Sequence, residues 1–129
     1  MRIRATLILY LSAIISLNAV LAVPSAAWAA QLLAGVAKVE ITDRAAGPVH
    51  DPSYVKVLVL KSGDRAVALV TVDAVAIGEI GRIGNDYLGQ VRTQLQAEMG
   101  IPPANVIVNA SHCHSIPRRD TAALTIQAA

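Results

Sequence analysis

The 129-residue chain has no phenylalanine, one tryptophan, three tyrosines and one cysteine. A single thiol excludes an internal disulfide. With so few rings, the core must be built from Val, Ile, Leu and Ala, as is common in buried sheets. The chain also lacks a GxSxG elbow, a glycine-rich phosphate loop and a CxxC pair. Those absences remove the usual signatures of serine hydrolases, nucleotide binding and thiol redox chemistry. An excess of one charge is missing too. Eleven Lys and Arg face nine Asp and Glu, and two of the basic residues, Arg2 and Arg4, sit at the very start. From Gln31 onward the charges balance, so no nucleic acid is expected as a partner.

The beginning of the chain reads as a secretory leader. Arg2 and Arg4 form a basic n-region, Ala5 to Val23 is an apolar stretch, and Ala27-Trp28-Ala29 is a small-x-small cleavage site. The leader accounts for residues 1–30, and a secreted or periplasmic location follows. An uncleaved membrane anchor is the alternative, since the apolar stretch approaches the length of a bilayer span. Residues 31–129 are then one domain at most.

Within that part the pattern is α/β. Leu33 to Ile41 alternates as a strand. Tyr54 to Leu60 and Ala66 to Asp73 are two more strands, joined through Lys61-Ser62-Gly63-Asp64 as a hairpin. The third strand is apolar on both faces, which predicts a central, buried position. Ile83, Tyr87, Leu88, Val91, Leu95 and Met99 follow helical spacing, with Gly100 as the C′ residue and Pro102-Pro103 forbidding continuation. A last strand spans Asn105 to Ala110, and Asp120 is placed to cap a helix from Thr121. The expected architecture is a layered sheet flanked by helices, forming the incomplete N-terminal part of a larger catalytic domain.

The most informative run is Asn109-Ala110-Ser111-His112-Cys113-His114-Ser115. On an extended strand, residues i and i+2 point the same way, so His112 and His114 would face one ion or substrate group. Cys113 would point away, and a lone thiol of this kind is expected to be buried. The histidines lie where an apolar strand ends, the place at which open α/β sheets gather ligands. Zinc accepts imidazole nitrogens and in catalytic sites takes three protein ligands. His50, Asp51 and Asp73 are the available third donors, although His50 reads as a surface residue of a Gly-Pro-Val-His-Asp-Pro loop. Asp73 ends a buried strand and needs a partner; it either braces an imidazole or caps the next turn. A Ser–His pair using Ser111 or Ser115 lacks an identified orienting acid.

Five segments, taken in order, resemble the start of neutral/alkaline (non-lysosomal) ceramidases. They are Ala34 to Thr42, Asp51 to Leu60, Val67 to Asp73, Gly100 to Pro103, and Ala110-Ser111-His112-Cys113-His114-Ser115. The resemblance covers residues 33 to 117. It implies a zinc-dependent amidase that cleaves the N-acyl bond of ceramide to give sphingosine and a fatty acid. By motif position it makes His112 a zinc ligand and His114 an active-site residue that meets the substrate or the reacting oxygen. Asp73 stays a candidate for supporting them from behind. The implied partner is a ceramide-like lipid amide, which can be presented at a membrane surface.

Two departures accompany the resemblance. The family's Gly-Pro after His-Ser is Ile116-Pro117 here. The family also completes its zinc site with another His, a Glu and a Tyr much later in the chain. The expectation is therefore an N-terminal fragment that is inactive alone. Two alternatives remain: an exported non-catalytic domain, and a small metal-binding protein using His50, His112 and His114.

Overall fold

A computed structural model describes residues 31–129; the leader expected over residues 1–30 lies outside the described residues. Four strands, β1 (Leu32–Glu40), β2 (Tyr54–Ser62), β3 (Arg65–Val72) and β4 (Val106–Ala110), form one sheet in the order β1-β2-β3-β4. Two helices, α1 (Tyr87–Met99) and α2 (Thr121–Ala128), complete the α/β arrangement. The sheet is mixed. β1, β2 and β3 are antiparallel neighbours, whereas β4 lies parallel to β3. A parallel neighbour requires a crossover, and α1 is that crossover. The hairpin turns at Gly63-Asp64, with Ser62 paired to Arg65, so its register places Val55 against Val72.

One sheet face carries the core. Val55, Val57, Ala68, Val70, Val72 and Val106 are buried with Tyr87, Val91 and Leu95 of α1 and with Ile41, Ile83 and Ile101. The helix spacing of the sequence is thus realised, except that Ile83 precedes α1 and Met99 is exposed. Gly100 takes φ +67 and ends α1 with a left-handed cap, its N–H donating to Gln96 O at 3.1 Å. Beneath the helices, Tyr87 Oη lies 2.7 Å from Thr125 Oγ1 and ties α1 to α2. Burial pushes the Tyr87 hydroxyl up to about 12, an effect the Thr125 hydroxyl partly offsets.

Two expectations change here. β3 is interior in strand order, but only one of its faces is covered among the described residues. Val36, Leu69 and Ile107 lie in one cross-strand row, 81%, 37% and 57% exposed. Apolar character on both faces therefore did not mean burial on both, because both helices lie on the core face. Asp120 precedes α2, yet its side chain makes no capping bond. It instead receives Arg118 Nε at 2.8 Å, and that guanidinium holds its carboxyl below the usual carboxylate range. No helix of the described residues is long and apolar enough to cross a membrane.

The topology gathers one edge. β1, β3 and β4 run in the same direction, and β2 begins where they finish. Segments 41–43, 53–54, 73–75 and 111–117 consequently meet there. Ile41 N–H donates to Ser53 O at 2.8 Å, Asp73 N–H to Tyr54 O at 2.9 Å and Ser111 N–H to Val72 O at 2.9 Å. The chain then returns past β1, with Asp43 N–H donating to Ile116 O at 3.0 Å and Thr42 bridged to Pro117.

Candidate functional site

Both sequence-predicted histidines lie at this carboxyl edge, but strand alternation does not place them. β4 ends at Ala110, and His112 has φ +60, one of two left-handed non-glycine residues among those described. Such a conformation costs about 1–2 kcal/mol for a residue with a Cβ, so neighbouring bonds must hold it. Ser111 Oγ donates to Asp73 Oδ1 at 3.0 Å, and Ser115 Oγ donates to the Asp73 carbonyl at 3.0 Å. Between them, His112 Nδ1 sits 2.9 Å from Val75 O. Together these bonds fasten the loop at three points to the segment that leaves β3.

The turn brings the rings together. Their centroids are 5.2 Å apart with an interplanar angle of 87°, an edge-to-face pair. A carbonyl only accepts, so the His112–Val75 bond requires the proton on Nδ1. A neutral His112 then carries its lone pair on Nε2, the state in which an imidazole can ligate a metal or accept a proton. Both histidines are exposed, which leaves them open to solutes from solvent.

The loop divides two cavities. A cleft of about 470 Å³ is lined by His50, Asp51, Cys113, His114, Ser115 and Ile116, among others. A smaller one of about 180 Å³, between residues 74–76, 80–83 and 115–117, is mainly apolar. Ile116 borders both and is 45% exposed. At the rim, Arg82 forms an ion pair with Asp43.

Cys113 is exposed, contrary to the expectation of a buried thiol. That expectation rested on the usual burial of lone thiols, whereas the loop after the left-handed turn at His112 leaves Cys113 lining the larger cleft. His50 and Asp51 are exposed in the same cleft. Even so, none of the proposed third donors completes a site. Among the described residues, no group of three or more His, Cys, Asp and Glu is placed to hold a metal. The donor chemistry fits zinc in part: His112 Nε2 is free and neutral imidazole is a zinc ligand, but further donors have to come from elsewhere.

Asp73 touches neither imidazole. Its Oδ2 accepts Tyr54 N–H at 3.0 Å and lies 3.4 Å from Lys56 Nζ, while Oδ1 takes the Ser111 hydroxyl. Reading the residues missed Val75, which supplies only a backbone carbonyl and so leaves no side-chain signal. It also missed the role of Ser111 and Ser115 as anchors. The meeting of Asp73 and Tyr54 follows from the observed Ser62–Arg65 pairing, whereas a four-residue turn over Lys61-Ser62-Gly63-Asp64 would have set Tyr54 opposite Thr71.

Fold and loop together define a class: a mixed α/β sheet that presents a histidine pair on the loop leaving a strand at its carboxyl edge. No protein-family profile matches the sequence, and no characterised protein matches it either. Solved structures do match the fold. Neutral ceramidase from Pseudomonas aeruginosa superposes with a TM-score of 0.58 at 18% identity, over 77% of this chain and 20% of that one. A ceramidase complexed with C2 gives 0.56 at 16% identity, with the same shares of 77% and 20%. The fold is therefore similar to part of a ceramidase, and this chain spans about a fifth of the length of the solved structures it matches.

Proposed function

We propose that this chain supplies the two-histidine portion of a zinc-dependent amide hydrolase of ceramidase type. The observation that supports this most is the His112–His114 pair at 5.2 Å, on the loop where the five sequence segments resembling ceramidases end and within a fold similar to part of one. His112 is the residue that would hold zinc, through Nε2. His114, beside it and facing the larger cleft, would meet the substrate or the reacting oxygen. When bound, zinc supplies Lewis acidity and activates water for attack on an amide carbonyl. The chain's own part is to keep His112 in the Nδ1–H tautomer and to hold His114 next to it. The substrate class is a lipid amide of the ceramide kind, and the protein acts after export through the leader.

Completion of the site requires donors beyond His112 and His114. The test is to determine the coding sequence beyond codon 129 and the mature C-terminus by intact mass. In a polypeptide that carries the remaining donors, His112→Ala is expected to abolish zinc retention and hydrolysis of an N-acylsphingosine together. His114→Ala is expected to lower turnover while most of the metal stays bound. Equal metal loss in both variants would refute this division of roles, and hydrolysis without zinc would refute the reading as a whole.

A further inference from the structure

Asp73 is the most connected side chain at the carboxyl edge, and the proposed reaction gives it no direct task. Its carboxylate bridges two segments that are 57 residues apart in sequence, from Tyr54 at the start of β2 to Ser111 after β4. Its backbone carbonyl holds Ser115 on the far side of the histidines. Two residues further on, Val75 O receives His112 Nδ1. Asp73 and Val75 thus belong to one short segment, and that segment sets both ends of the histidine loop and the tautomer within it.

We infer that Asp73 is the positioning residue of the histidine pair: through the Ser111 hydroxyl it holds His112 in its left-handed turn, so that Nδ1–H stays on Val75 O and Nε2 stays free. It acts through Ser111 and touches neither ring. Without the carboxylate, Ser111 loses its partner and the turn relaxes, because a left-handed histidine persists only where its surroundings over-determine it. The ring then leaves Val75 O, and its proton distributes between the two nitrogens as in a solvated imidazole. The Lys56 contact, long and on an exposed lysine, contributes little to this.

The value of a free Nε2 rests on the ceramidase-type reading, whereas the tautomer itself does not, so each can fail alone. The experiment is a long-range ¹H–¹⁵N correlation spectrum of the ¹⁵N-labelled full chain, at a pH where the rings are neutral. His50, His112 and His114 are assigned by single substitution. Wild type is expected to show His112 predominantly protonated on Nδ1. Asp73→Ala should lower the Nδ1–H to Nε2–H ratio severalfold, and Ser111→Ala should lower it similarly. Asp73→Asn should restore most of it, since the amide oxygen can accept Tyr54 N–H while the NH₂ donates to Ser111 Oγ. An unchanged ratio in Ser111→Ala overturns the inference, even if Asp73→Ala fails to fold. A wild-type His112 protonated on Nε2 overturns it as well, and so does an Asn variant as disturbed as the Ala variant. Loss of the zinc reading would leave these ratios unaffected.

Discussion

The buried Tyr87–Thr125 pair should make stability fall at alkaline pH by an amount set by one residue. Tyr87 is 2% exposed, and its hydroxyl is pushed up to about 12 from the ordinary 10. Thr125 Oγ1 already donates to Thr121 O at 2.8 Å, so in the neutral protein Tyr87 donates to Thr125. Because the folded value is raised, the contribution is complete below about pH 10 and is lost as pH rises through about 12. A displacement of about two pH units is worth about 2–3 kcal/mol in full, of which about 1.4 is gone by about pH 11. Tyr87→Phe removes the titrating group. At about pH 8 it should cost about 1 kcal/mol, the net worth of one hydrogen bond, since Thr125 keeps its bond to Thr121. The assay is urea unfolding of both chains between about pH 8 and 11, reading the difference in stability. Wild type should begin ahead of Tyr87→Phe by about 1 kcal/mol and fall level with it or behind by about pH 11. A stability difference that stays constant across that range would refute the buried, donating hydroxyl.

Three further outcomes follow from the fold. Leu95→Ala should destabilise by about 2–5 kcal/mol, because the side chain is fully buried between α1 and the sheet; thermal or urea unfolding checks it. Gly100→Ala should cost about 1 kcal/mol from backbone conformation alone, since φ is +67 and a Cβ there meets nothing within 4 Å. Val36→Thr, at 81% exposure on the open sheet face, should change stability by less than about 0.5 kcal/mol in this chain, and a larger loss would show that the face is covered.

Much of the fold was legible because local patterns and the core agree. The hairpin follows from Lys61-Ser62-Gly63-Asp64 between two β-branched runs, although the strands extend to Ser62 and leave only Gly63-Asp64 in the turn. In the same way, α1 follows from Tyr87, Val91 and Leu95 ending at a glycine. The histidine pair was legible as a pair but not in its geometry. Alternation on a strand predicts which way side chains point only while the strand lasts, and β4 stops before His112. The burial expected of Cys113 from the usual habit of lone thiols failed because the residue lies on the loop beyond β4, where it lines the larger cleft. The capping role expected of Asp120 failed for another local reason, as Arg118 two residues earlier competes for the carboxylate.

The sequence by itself determined the element order and the apolar runs from which the core is built, and it placed the candidate histidines just after the last strand, since each depends on side-chain type and spacing along one segment. Which groups meet at the carboxyl edge was decided only by tertiary structure. Asp73, Ser111, Val75 and His112 come from the ends of two parallel strands joined by a helical crossover, and a left-handed turn aims the ring. The ring's own bond goes to the Val75 carbonyl, and a carbonyl is common to every residue, so no residue type announces it.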